Sequence, residues 1–154
     1  MREDGLHVTV QKLGQFLNRI PSQQIDRAMD AAGRVSAEPF DIALDTVQST
    51  TWPDRSSMAR LTGGGAGLRG ILDFERNVAR AMMCAGFHRT QTRRSFQPHV
   101  TLDYRHPPFK RQTLAHPLMW RVDHFMLVDS LYGLAKHEVL GCLPFVARQR
   151  DMFE

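Results

Sequence analysis

Phe96-Gln97-Pro98-His99-Val100-Thr101-Leu102-Asp103-Tyr104 is the stretch that decides how this chain folds. Proline opens an extended segment in which aliphatic and polar residues alternate, the pattern of a strand with one covered face. His99 and Thr101 then project together on one side, and Val100 and Leu102 on the other. One echo of this pattern occurs elsewhere in the chain, at Leu6-His7-Val8-Thr9-Val10, where His7 and Thr9 share a side and Val8 and Val10 anchor the other. Pro107 and Pro108 end the later strand.

The intervening sequence reads as strands alternating with two helices. Pro21 to Gly33 is helical, with proline in the first turn and Ile25, Ala28, Met29 and Ala32 at helical spacing, so one face can pack on a sheet. Phe40, Ile42 and Leu44 alternate with Asp41, Ala43 and Asp45 as a second strand, TVQSTTWPDR is a loop, and Ser57 to Leu61 is a third strand. From Leu68 to Cys84 the apolar residues Leu68, Ile71, Leu72, Val78, Ala79, Met82 and Met83 keep helical register, and Gly86 suits the stop. Trp120 to Val128 alternates strongly. Glu138 to Leu143 makes a last strand after a turn around Gly133. Such an order indicates an α/β or α+β domain.

Two strands carrying His-x-Thr can bring two imidazoles and two hydroxyls around one small anion. Histidine titrates near pH 6.5, so at neutrality one imidazole can take a proton while a protonated partner gives one, and hydroxyls can hold oxygens that gain charge. A single histidine in a strand is more often a hydrogen-bonded surface residue; the matched pair shifts the reading toward catalysis by His7 and His99 with Thr9 and Thr101 as substrate ligands.

Bulk properties bound the partners. The chain has 154 residues, 42% of them hydrophobic, enough for one domain with a core. Lys and Arg number 20 against 16 Asp and Glu, a net charge of +4 that favours polyanions and is equally compatible with ordinary solvated surface. Cys84 and Cys142 form no CxxC and no disulfide framework, and the polar start MREDGLHVTV resembles no signal peptide. A soluble cytoplasmic protein with no membrane partner is expected.

Other signals are weaker. Gly65-Ala66-Gly67-Leu68-Arg69-Gly70 matches GxGxxG, yet no Asp or Glu stands near position 90 to hold a ribose, so the run is read as a loop and helix start. No GxxxxGK[ST] occurs. His88, His106, His116, His124 and His137 show no metal-ligand spacing, and no metal or other cofactor is expected. Arg89, Arg93, Arg94 and Arg105 surround the second motif, with Phe87, Phe96 and Tyr104 interleaved. Such a segment either grips RNA or is a solvated loop.

The motifs HVTV and PHVTL resemble the duplicated signature of the two-histidine phosphoesterase superfamily, in particular its RNA 2',3'-cyclic phosphodiesterases, also described as 2'-5' RNA ligases. FDIAL, the long helix before Gly86-Phe87, FQPHVTL, WRVDHFMLVDS and HEVLGCLPF follow in family order, so the resemblance spans Leu6 to Phe145. It implies an α+β bilobal fold, two antiparallel-rich sheets with flanking helices around a central cleft. It further implies metal-free opening of a 2',3'-cyclic phosphate at an RNA end or in a cyclic nucleotide to a 2'-phosphate, with His7 and His99 as acid and base and Thr9 and Thr101 on the phosphate. The same site would serve 2'-5' ligation in reverse. A reading from another class is an RNA-binding module without turnover, against which both intact motifs argue. The family usually carries a strand and a helix ahead of the first motif, where here only MREDGL stands. The expectation is therefore a single bilobal domain over residues 1–154 lacking that strand and helix, with an open edge that favours a homodimer.

Overall fold

The structure, a computed structural model, describes residues 6–52, 54, 56–88, 96–131 and 136–146. Its elements are α1 (Ser22–Gly33), β1 (Phe40–Thr51), β2 (Ser57–Thr62), a short 3-10 turn (Gly65–Leu68), α2 (Arg69–Cys84), β3 (Val100–Asp103), β4 (Gln112–Val122), β5 (His124–Leu131) and β6 (Lys136–Pro144). They form a four-stranded antiparallel sheet in the order β3-β2-β1-β4 and a two-stranded antiparallel sheet of β5 and β6. The fold is α+β, one of the two classes that the order of elements allows and the one that the resemblance implies.

Helix α2 serves both sheets. Its Ile71, with Leu68 just ahead of it, joins Ile42, Leu44, Leu61, Phe96 and Val100 in a core on the inner face of the larger sheet. One helical turn on, Phe74, Val78 and Met82 pack with Ala31 and Ala32 of α1 and reach Phe125, Leu143 and Phe145 beside the smaller sheet. Phe74 meets Phe125 edge-on at 5.1 Å between ring centroids and Phe145 at 5.0 Å. Aromatic contacts of this geometry add to what the buried area contributes, so α2 fixes one sheet relative to the other. The helix stops where expected: Gly86 takes φ +83°, and the Gly86 and Phe87 amides donate to the carbonyls of Met83 and Met82.

The glycine run is explained by packing. A Cβ on Gly63 would lie 2.1 Å from the Ala43 carbonyl oxygen, one on Gly67 3.0 Å from the Ala43 Cβ, and one on Gly70 2.5 Å from the Phe40 ring. These glycines let the turn and the start of α2 lie directly on β1.

Three readings of the sequence are corrected in extent. β1 continues through Thr46 to Thr51, into residues read as a loop, and pairs there with β2. The alternation from Trp120 to Val128 belongs to two strands, because the chain leaves the larger sheet at Asp123, whose carbonyl accepts from the Phe145 amide at 2.7 Å, and enters the smaller one. β4 itself begins at Gln112, runs along an edge with almost every residue exposed, and accommodates Pro117 between its two paired segments. The turn around Gly133 lies outside the described residues. Among those described, no helix is long and apolar enough to cross a membrane.

Candidate functional site: two rows of polar side chains on one sheet face

Val8 forms an isolated antiparallel bridge with Val100. Val100 also pairs with Leu61, and Leu61 with Val47, so these four residues run in line across the sheet and turn their side chains into the core. Their neighbours along each strand must point the opposite way. In an antiparallel bridge the residue before one partner stands opposite the residue after the other, which sets His7 against Thr101 and Thr9 against His99. The register continues the first of these rows as Thr101, Arg60 and Gln48, and brings Thr62 and Thr46, themselves paired, into line with His99. All four sequence-derived residues therefore share one face of one sheet, in two adjacent rows. None of the four is buried: His7, His99 and Thr101 are half-buried and Thr9 is exposed.

Local contacts orient these groups. His99 Nδ1 lies 2.7 Å from the Gln97 carbonyl oxygen, which can only accept, so Nδ1 carries the hydrogen and Nε2 is left for chemistry. Thr101 Oγ1 donates to the Met58 sulfur at 3.8 Å, a weak bond readily exchanged for a better acceptor. Thr62 Oγ1 donates to the Pro98 carbonyl at 2.7 Å and holds the approach to His99 against β2. At the end of the second row Arg111 Nη2 donates to Thr46 Oγ1 at 3.4 Å.

Two residues at this face, one on it and one reaching it from the smaller sheet, were not singled out by the sequence. Arg60 stands directly between Thr101 and Gln48, and burial pulls its guanidinium below the usual arginine range. His137, on β6 of the other sheet, sets its ring edge-on to His7 with centroids 4.6 Å apart. Burial, and then the charge of His7, lower the pKa of His137 from the ordinary histidine value. Spacing in the sequence carries no trace of a contact between β6 and the first motif.

The remaining sequence-derived candidates lie elsewhere. His106 Nδ1 contacts the Pro107 carbonyl at 2.8 Å and its ring meets Phe109, while His124 Nδ1 bonds Asp123 at 2.6 Å and holds that carboxyl below its normal range. Arg105 and Tyr104 border a shallow depression of ≈ 280 Å³ with Ser56, Ser57, His106, Pro107 and Pro108, beyond the end of β3. Arg89, Arg93 and Arg94 fall outside the described residues. Among the described residues no group of three or more His, Cys, Asp or Glu could hold a metal ion.

The chain has the fold of the two-histidine phosphoesterases. A structure described as a phosphoesterase superposes with a TM-score of 0.67 at 20% identity, covering 94% of this chain and 79% of the other. Escherichia coli LigT complexed with 3'-AMP gives 0.67 at 22% identity over 94% and 79% of the two chains. TT0787 of Thermus thermophilus gives 0.65 at 19% over 91% and 78%. At these identities the likeness is one of fold. No protein-family profile matches the sequence, and no curated protein does.

Proposed function

We propose that this chain is a phosphodiesterase that opens 2',3'-cyclic phosphates, at RNA ends or in nucleotides, to 2'-phosphates by paired histidine catalysis. The observation that carries this reading is the Val8 to Val100 bridge, which sets His7, Thr9, His99 and Thr101 on one sheet face in alternating order. Nucleotide-sized ligands suit such a face: E. coli LigT, of the same fold, has been crystallised with 3'-AMP, NADP+ and ATP.

In the reaction a water oxygen forms a bond to phosphorus as one neutral imidazole takes its proton. The bond from phosphorus to the 3'-oxygen breaks, and the second imidazole, protonated, supplies the proton that makes the leaving oxygen a hydroxyl. The hydroxyls of Thr9 and Thr101 donate to the non-bridging oxygens as charge builds on them. His99, whose Nε2 has no partner among the described residues, acts as base when neutral and as acid when protonated. With an RNA 5'-hydroxyl attacking in place of water, the same steps join ends through a 2'-5' linkage.

The test is hydrolysis of a 2',3'-cyclic nucleotide and of a cyclic-phosphate-ended RNA, with EDTA present, by wild type, His7→Ala and His99→Ala across pH. Each substitution is expected to lower kcat by about 100-fold or more, and the wild type to show a bell-shaped profile. Full activity in either variant would overturn paired catalysis. A folded, inactive wild type that still binds RNA would instead identify a binding module.

A further inference from the structure

We propose that Arg60 is an anion-binding residue of this face, its guanidinium fork held by Gln48 and Gln97 so as to receive a phosphate group beside Thr101. The inference deepens the phosphodiesterase reading and takes its ligand class from it.

Arg60 leaves β2 on the face that carries the His-x-Thr residues, with Thr101 as its partner on β3 and Gln48 as its partner on β1. Its head is fixed from two sides. With the Gln48 amide turned so that oxygen faces the guanidinium, that oxygen accepts from Arg60 Nε at 3.0 Å and from Nη2 at 2.6 Å. Gln97 Oε1 accepts from Nη2 at 3.1 Å. The same Gln97 accepts the His99 ring hydrogen on its backbone carbonyl, so one residue aims both the imidazole and the guanidinium.

Both holders are neutral amides. Arg76 and Arg121 pair with Asp73 and Asp41, whereas among the described residues no carboxylate lies within ion-pair reach of Arg60. A partly buried cation without a counter-charge works against folding, and substitution by an uncharged residue would relieve it. Nη1 keeps both its hydrogens without a partner among the described residues. Nε and both hydrogens of Nη2 are taken by the two amides, so Nη1 is the end of the guanidinium that can donate its two hydrogens to phosphate oxygens.

A structural role is the rival explanation, since Arg60 also ties β1 and the 96–99 segment together. Calorimetric titration with inorganic phosphate at low salt separates the two, using wild type, Arg60→Gln, Arg60→Lys and Gln48→Glu, each checked for folding by circular dichroism and melting temperature. Wild type is expected to bind phosphate, Arg60→Gln to bind it about tenfold or more weakly, and Arg60→Lys to retain part of the affinity. Gln48→Glu is the sharper variant. It keeps the arginine and adds a carboxylate partner, so it should hold or raise the melting temperature while abolishing phosphate binding. Equal phosphate affinity in wild type and Arg60→Gln, unimpaired binding by Gln48→Glu, or no phosphate binding by wild type would overturn the proposal. Phosphate binding that depends on Arg60 in a protein without cyclic phosphodiesterase activity would uphold it and defeat the catalytic reading alone.

Discussion

His137 of β6 and His7 of the first motif touch ring edge to ring face, with their planes at 73° and their centroids 4.6 Å apart. This contact joins the smaller sheet to the larger one at the side chain proposed for proton transfer. Because burial and the His7 charge lower the His137 pKa, the folded chain resists a proton that the unfolded chain accepts near pH 6.5. The contact is therefore fully favourable above that value and is penalised as pH falls below it. Melting temperatures between about pH 8 and about pH 5 should decline on the acid side in wild type and decline less in His137→Phe, which keeps a ring but cannot charge. An unchanged slope in the variant would show that other groups govern it.

Thr101→Val preserves shape and removes the hydroxyl. Its protein partner is the Met58 sulfur, so stability should change by no more than about 0.5 kcal/mol. Activity on a cyclic phosphate should drop by about 10-fold or more, in kcat, if that hydroxyl supports the charged phosphoryl oxygens. Paired measurement of melting temperature and kcat checks both halves.

At Gly70 an added methyl meets the Phe40 ring at 2.5 Å. Gly70→Ala should cost about 1–3 kcal/mol through overpacking between α2 and β1, even though alanine favours helix. Gly64, where a Cβ would meet nothing within 4 Å, is the control and should tolerate alanine. Urea unfolding of the two variants makes the comparison, and equal midpoints would remove the packing explanation of the glycine run.

The helices were legible because each buries one face, and apolar spacing records that directly. β3 and the first motif were legible for the same reason at period two, and with them all four His and Thr residues of the face. β4 was not, because an edge strand exposed from Gln112 to Met119 has no buried face to imprint an alternation. Thr46 to Thr51 was missed because its outward side chains are threonine and glutamine, the residues of loops as well as of a polar sheet face. Arg60 and His137 owe their positions to register and to packing between sheets. A strand arginine and a strand histidine look alike in sequence whether they face bulk water or a site.

Val8 is the hinge point of the whole arrangement, since one bridge to Val100 aligns the first motif with the second. Val8→Ala removes two methyl groups from a partly buried side chain packed on the core, a loss of about 1–2 kcal/mol. Cyclic phosphodiesterase activity should suffer more than the melting temperature does, because the segment carrying His7 would be loosened while the ladders among β1 to β4 remain. Parallel losses in activity and global stability would count against this.

The single bridge also sets an order of events. The β1–β2 ladder is continuous, whereas among the described residues one backbone bridge joins the first motif to the sheet, so that segment can open locally at lower cost. Amide hydrogens around Val8 should exchange well before those of β1 and β2, and denaturant should extinguish turnover at concentrations that leave the sheet standing. In that sense the proposed activity would depend on the more easily opened part of the fold. Limited proteolysis should then cut around Val8 before it cuts within β1 or β2.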